Sequence, residues 1–422
     1  MNEKRTVLVI GGGPAGLMAA IAAAEEGASV TILERNPFCG KKLNITGKGR
    51  GNITNACDLD AFLENVPVNG RFLYRALTAF SPADTVSFFE SRGVPLKTER
   101  GNRVFPVSDR ARDLTDCLVR TAKQAGVRIR QSAVSGLDIR DGSVCGVIDG
   151  TGSRNADAVI LATGGCSYPQ TGSDGNGYRI AEQAGHTCVP PKPSLVPLTS
   201  PDPFCKDCMG LSLRNVRMTF TREDRVLYEE QGEMLFTHFG CSGPVVLSAS
   251  AHLRTGFPVV MHLDLKPALD EPKLDARLLR DFQGAQNKDL QNVLTALLPA
   301  KMVGPFLRKS GLDGRKKVHD ITREERKTLL SLLKDCRVVL NGTRPIAEAI
   351  VTSGGVPVSE VNPKSMESKR AKGLFFAGEV LDVDAYTGGF NLQIALSTGR
   401  LAGKAAALPA RQNTPPAQGG AD

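Results

Sequence analysis

The sequence predicts an α/β fold in which one domain is split in two by an inserted β-rich, barrel-like domain that itself carries a small helical subdomain. Three observations carry this. A glycine turn, Gly11-x-Gly13-x-x-Gly16, joins an apolar strand to an alanine-rich helix. The composition changes near residue 190, where "VPPKPSLVPLTSPDPF" holds six prolines, a boundary signal. Strand, loop and helix patterns of the first kind return only near residue 360, with "GLFFAGE" and "GGFNLQIALSTGRLAGKAAA". The expected division is therefore 1–190 for the first part, 191–357 for the insertion, with its helical subdomain at 268–335, 358–408 for the last part, and a disordered tail over 409–422.

Each element has its own reason. "TVLVI" is an apolar strand. Gly11 then permits a tight turn, Gly13 lets a pyrophosphate approach the backbone, and Gly16 lets helix and strand pack closely. Pro14 and Ala15 open a helix whose first N–H groups and partial positive charge suit phosphate. "ASVTILE" is a second strand, ending in Glu34 at the spacing of a carboxylate that holds an adenosine ribose. Strand, turn, helix, strand and acid together make a Rossmann-like unit. "KKLNITGKGRGNITN", Lys41 to Asn55, has little to bury; its glycines permit close backbone approach and its cations suit an anionic ligand. Residues 111–127 read as a helix ending at Gly126. "VRIRQSAVSGLDIRDGSVCGVIDG" alternates as antiparallel strands do, with a turn at Asp141-Gly142. "ADAVILATGG" is a buried strand that runs into Thr163 and Gly164. In the insertion, "RNVRMTF", "RVLYEEQGEMLFTHFG" and "FPVVMHLDL" are strand-like, and "LQNVLTALL" and "EERKTLLSLLKD" have helical spacing. "CRVVLNG" and "AEAIVTSGGVPV" are strands again. Gly378 and Glu379 close a last strand, and Gly389 leads into the last helix.

The totals narrow the function classes. At 422 residues and 41% hydrophobic, the chain can build two or three domains with a sizeable core. It has no Trp and five Tyr, which argues against a nucleic-acid surface made of many stacking rings. Its net charge of +9 suits an anionic cofactor or substrate and leaves RNA open. No run of 18 apolar residues suggests a membrane span. A strand at the outset, with no signal-peptide layout, and ten scattered cysteines predict a cytoplasmic protein with reduced thiols. Cys205 and Cys208 form a CxxC, but no second pair or His pair lies near, so no metal site is predicted. "GRKKVHD" at 314–320 reads as a solvated surface.

In chain order, GxGxxG with Glu34, then "LATGG", then "GLFFAGEVLD" before a glycine-led helix resemble FAD-binding enzymes of the glutathione-reductase type. With "KKLNITGKGRGNITN", "GEMLFTHFGCSGPVVLS", "VTSGGV", "MESK" and "GLFFAGEVLDVDAYTGGFNLQ", the chain resembles, over roughly residues 5–406, the BaiN-like and aminoacetone-oxidase-like flavoproteins. The resemblance implies FAD held by Gly11, Gly13, Pro14, Ala15, Gly16, Glu34, Lys42, Arg50, Asn52, Val134, Thr163, Gly164, Gly378, Glu379, Gly389, Phe390 and Asn391. It implies NAD(P)H as a transient reductant and a small organic molecule as acceptor, first an activated C=C of an enone such as an unsaturated 3-oxo bile acid or steroid. Arg50, His238 and Tyr386 are then the candidate catalytic donors. The alternatives are an oxidase of a small amine such as aminoacetone and a tRNA-modifying flavoprotein, the latter supported only by charge. Neither nucleic acid nor membrane is the favoured partner, and the oligomeric state is open. One residue departs from the pattern: Gly51 stands where the family motif has Cys, which removes any thiol chemistry at that place.

Overall fold

The computed structural model describes residues 4–223, 225–253 and 256–409. The chain divides into two compact units, residues 1–192 with 351–422 and residues 193–350, each with its own apolar core. These boundaries stand beside the 190/191 and 357/358 expected from composition; residues 351–357 belong with the first unit. Residues 410–422, most of the expected disordered tail, lie outside the described residues.

The first unit is organised by a five-stranded parallel sheet. Its strands are β1 (Thr6–Ile10), β2 (Ser29–Glu34), β3 (Arg128–Gln131), β4 (Ala158–Leu161) and β5 (Leu374–Phe376), in the order β5-β4-β1-β2-β3. Every neighbouring pair is parallel. Central strands of such a sheet are covered on both faces, which explains why all four residues of β4 are apolar and buried. The helices α1 (Pro14–Glu25), α2 (Ala111–Gln124) and α3 (Phe390–Ala407) belong to this unit. Nine consecutive residues of α1, Ala15 to Ala23, are buried. Small side chains make that possible. A Cβ placed on Gly399 or Gly403 of α3 would come 2.3 Å from the Ala15 carbonyl oxygen or 2.1 Å from that of Ala19, so the two helices meet backbone to backbone.

One expectation changes. "VRIRQ" does not begin an antiparallel run; it joins the edge of the parallel sheet as β3. A half-exposed edge strand alternates just as an antiparallel one does, so the pattern alone cannot separate them. The hairpin proper is Val134–Arg140 with Ser143–Asp149, turned at Asp141 (φ 48°) and Gly142 (φ 71°), with Gly152–Asn155 as a third strand.

The second unit holds a seven-stranded sheet with all pairings antiparallel. The order is Cys336–Leu340, Val259–Asp264, Ser212–Arg222, Arg225–Thr237, Gly240–Ser242, Leu198–Thr199 and Gly342–Thr343. The two end strands are separated in the chain by Asn341 alone, so one run of chain pairs with both ends of the sheet and closes it as a barrel does. Helices Glu271–Gln283, Leu290–Leu294, Ala300–Ser310 and Arg323–Lys334 fill the interval between two adjacent strands, where the charged helical stretch was expected. Thr322 and Glu325 form a capping box at the last of them. Among the described residues, no helix is long and apolar enough to cross a membrane.

Candidate functional site

The three glycines of the first turn have different neighbours. A Cβ on Gly11 (φ 101°) would come 2.5 Å from the Ala162 carbonyl oxygen, and one on Gly16 would come 1.9 Å from that of Gly11. Around Gly13 there is nothing within 4 Å. Two glycines therefore serve packing, and the third leaves open space at the start of α1, whose first turn no side chain caps. Glu34 is buried at the end of β2 and braces this turn. Its Oε2 accepts from the Gly12 N–H at 2.6 Å; its Oε1 accepts from the Asn36 backbone at 2.7 Å and Nδ2 at 2.8 Å. A carboxylate has about four acceptor positions, so capacity for a ribose hydroxyl remains. Burial first, and the charge of Glu34 second, push the adjacent Cys39 thiol up to about 11 and keep it neutral.

A second group gathers residues far apart in sequence. Lys42 Nζ lies 2.6 Å from Glu379 Oε2 and donates to Ser167 Oγ at 2.7 Å. Glu379 Oε1 accepts from Ser167 Oγ at 3.0 Å and from the Thr352 N–H at 2.8 Å. Thr352 Oγ1 in turn accepts from the Cys166 and Ser167 N–H groups at 2.8 and 3.1 Å. Glu379 is thus fixed by a cation, a hydroxyl and an amide. Gly378 (φ 76°) donates its N–H to Thr398 Oγ1 at 2.9 Å.

The loop 41–55 folds over the start of α3. Thr54 Oγ1 donates to Gln393 Oε1 at 2.6 Å, and Asn55 Nδ2 donates to the Gly101 and Gly388 carbonyls at 3.0 and 3.1 Å. A Cβ on Gly389 (φ 101°) would come 2.3 Å from the Thr54 carbonyl oxygen, so only glycine allows this approach. Phe390 packs edge-on against Phe62, with centroids 5.0 Å apart. Asn52 Oδ1 and Thr163 Oγ1 are buried without a hydrogen-bond partner. Gly164 has φ 73°, and the buried Val134 accepts from Asn176 Nδ2 at 3.0 Å through its carbonyl. Open space at Gly13, an uncapped helix start, a buried carboxylate at the end of β2 and two orphaned polar atoms fit FAD.

Several expectations are revised by these contacts. Arg50 is not a spare cation. Its guanidinium binds Asp109 at 2.6 Å and Glu99 closer still, and lies 4.3 Å from the centroid of Phe105. Arg50 in turn holds the Glu99 carboxyl below the usual carboxylate range. Lys97 first, and Arg50 second, do the same for Asp109. The sequence displayed the charge of Arg50 but not the two acids beside it. The Asn391 side chain is committed to the loop before α3: Nδ2 donates to the Ala385 and Tyr386 carbonyls at 2.7 and 3.2 Å, and Oδ1 accepts from the Ala385 N–H at 3.0 Å. Tyr386, half-buried, donates its N–H to the Asn65 carbonyl at 3.0 Å. His238 is exposed on a turn of the second unit, edge-on to Phe239, whereas Arg50 and Tyr386 share the first unit with the glycine turn. A Cβ on Gly51 would come 2.7 Å from Leu114 Cδ1 and 2.8 Å from Ala111 Cα, so position 51 packs on α2. Cys205 and Cys208 are both buried.

Sequence reasoning missed Ser167, Thr352 and Tyr178. The Tyr178 hydroxyl is buried without a partner, and a Cβ on Gly165 would come 3.1 Å from it. "VTSGGV" stands out only as a family string; nothing local marks Thr352 as a partner of Glu379.

The chain matches the model of the HI0933-like protein Rossmann domain over residues 5–405. It is 34% identical over 409 residues to the 3-dehydro-bile acid delta(4,6)-reductase of Clostridium scindens, covering 94% of this chain and 98% of that one. It is 30% identical over 400 residues to the ribosomal RNA dihydrouridine synthase of Escherichia coli, covering 94% and 96%. The solved 3-ketosteroid-delta4-(5alpha)-dehydrogenase from Rhodococcus jostii RHA1 shares the fold, with a TM-score of 0.51, 18% identity and coverage of 97% and 98%.

Proposed function

For this chain, which belongs to the HI0933-like Rossmann family of FAD-dependent oxidoreductases, we propose a reductase that takes hydride from NAD(P)H and delivers it to a C=C conjugated with a carbonyl, first in an unsaturated 3-oxo bile acid or steroid. The observation that carries this is the 34% identity, over nearly the full length of both chains, to a bile-acid reductase. Bound FAD supplies the two-electron relay between reductant and acceptor. The rest is work for the protein. The space at Gly13 and the start of α1 would hold pyrophosphate, and Glu34 would hold the ribose. Lys42, Ser167 and Thr352 keep Glu379 fixed and oriented toward polyol hydroxyls. The start of α3 at Gly389 would offer its positive end to negative charge on the bound cofactor. Tyr386, in the loop that Asn391 fixes, is the favoured donor to the substrate carbonyl; Arg50 is disfavoured by its two acids.

Anaerobic mixing with NADH and NADPH, followed by a 4-en-3-one steroid, tests the reading. Flavin bleaching, then recovery with a product two mass units heavier, is expected. Reoxidation by oxygen alone, with steroids inert and an amine able to bleach the flavin, overturns it.

A second reading has support of its own. Two relatives that this chain matches over 94% of its length are ribosomal RNA dihydrouridine synthases, and the chain carries a net charge of +9. The C5=C6 bond of a uracil is also conjugated with a carbonyl, so the same hydride delivery applies. Its test is the mass of nucleosides released from RNA after incubation with the enzyme and NAD(P)H; a two-unit gain on uridine is expected, and unchanged uridine removes this reading.

A further inference from the structure

The segment 69–79 of the first unit takes no part in the site above. A 3-10 turn, Gly70–Leu73, runs directly into a helix, Tyr74–Ala79. Its buried side is Leu73, Ala76 and Leu77. Its other side presents Arg71, Tyr74 and Arg75, spaced i, i+3, i+4 and therefore neighbours on one face. All three are exposed, Tyr74 to 58%, although a tyrosine ring left in water gives up much of its burial energy. Among the described residues, neither guanidinium has an ion-pair partner. Beside this face lies an open pocket of about 360 Å³ lined by Asn69, Gly70, Arg71, Phe72 and Val358. That size takes a single flat ring system. Asp382 accepts from Asn69 Nδ2 at 3.2 Å and from the Gly354 N–H at 3.0 Å.

The pocket is tied to the candidate site. Asn69 Nδ2 donates to the Asp382 carbonyl at 2.7 Å, and four residues earlier the Asn65 carbonyl accepts from the Tyr386 N–H at 3.0 Å. Both bonds grip the loop that leads into α3. A ligand seated on this face is therefore held by the same segment that positions Tyr386.

We propose that Arg71, Tyr74 and Arg75, with the Asn69–Phe72 pocket, form a docking subsite for one nucleotide of single-stranded RNA. Tyr74 stacks on a base, and the two arginines hold the phosphates on either side. Two unpaired guanidiniums flanking a bare ring are the chemistry of a phosphate–base–phosphate unit; a neutral steroid would use neither cation, and the single carboxylate of a bile acid would use one and leave the other idle. One ring suffices for one nucleotide, so the scarcity of aromatics in the chain is no obstacle. The inference rests on the RNA reading of the function and goes further by placing the strand.

The test uses the full flavin-loaded chain and fluorescein-labelled single-stranded oligouridylate, with binding followed by anisotropy over a salt series. Tyr74→Leu should weaken binding roughly 5- to 150-fold, while Tyr74→Phe, which keeps the ring, should bind as the parent does. Arg71→Ala with Arg75→Ala should flatten the slope of log affinity against log salt by about 0.7 for each phosphate left without its arginine. Retained flavin absorbance and unchanged flavin reduction by NAD(P)H show that each variant is folded. RNA binding that none of these changes alters overturns the subsite and leaves the RNA reading standing. Absence of RNA binding at low salt overturns both.

Discussion

Gly13 and Gly16 stand three residues apart and oppose each other in what a side chain would meet. A methyl group at Gly16 would sit 1.9 Å from the Gly11 carbonyl, but one at Gly13 would meet nothing within 4 Å. Gly13→Val should therefore fold with the parent's circular dichroism and elute without flavin, whereas Gly16→Val should fail to fold; a yellow Gly13→Val protein would show that pyrophosphate does not lie there. His186 offers a test by pH. Its ring is buried, with Nδ1 2.9 Å from Glu360 Oε2 and Nε2 2.7 Å from Ser368 Oγ. Ser368 Oγ already accepts from the Arg370 and Ala371 N–H groups at 3.0 and 2.9 Å, so its own proton goes to Nε2 and the neutral ring donates from Nδ1 to Glu360. Burial depresses the folded-state pKa of His186 below the ordinary 6.5, outweighing the opposing pull of Glu360. The unfolded chain then binds the proton more readily, so stability is unaffected above that pH and falls below it, by about 1.4 kcal/mol at most for each unit of depression. Burial works against the Glu360 carboxylate too, but Arg370, the Thr187 N–H and His186 together leave it below 4.5. Its contribution is present above pH 4.5 and is lost as pH falls through the lower folded value. Melting curves from about pH 7.5 to about 5 should show His186→Gln losing less stability than the parent over that interval; equal losses would place the acid sensitivity elsewhere.

Among elements, the loop 41–55 shows where sequence reading stops. Its glycines were legible because Gly47, Gly49 and Gly51 all need positive φ, a local backbone demand visible in the residue type. The glycine turn and Glu34 were legible for the same local reason. The partners of Lys42 and Arg50 were not, since Glu379, Glu99 and Asp109 reach them only through the tertiary fold. That changes what a substitution should do. Arg50→Ala should release the loop from the strand pair Leu96–Glu99 and Arg103–Pro106, lower the melting temperature and speed proteolysis within 41–55. The flavin midpoint potential should move little, because the lost cation was already balanced by two acids. A large fall in potential would mean that the guanidinium reaches the flavin after all. β3 makes the same point for strands: alternation reveals a half-covered strand, and its parallel direction comes only from the way the chain returns to the edge of β2.

Over the whole molecule, the proline-rich passage and the returning "GLFFAGE" made the interruption of the nucleotide-binding unit readable, since both are changes of composition. The closure of the second unit's sheet was not, because Asn341 looks like any loop residue until both of its flanking strands find partners. The first unit is completed only by its last helix: β5 lies at one edge of the sheet, and α3 lies on α1 with glycine against alanine backbone. Ending the chain at Gly389 should leave bare the side of α1 that meets α3 and give insoluble protein, even though every residue of the glycine turn is present; a soluble, flavin-binding product would refute the dependence. The same pairing has a meaning in time. α1 is among the first helices to leave the ribosome, and α3 follows roughly 370 residues later, on the order of 20–75 s at about 5–20 residues per second. For that interval the side of α1 that α3 covers stays bare, although its other neighbours, β1, β2, β4 and α2, are already made. A premature stop late in the message is then as damaging as an early one, because it yields a long polypeptide whose first helix never receives its cover.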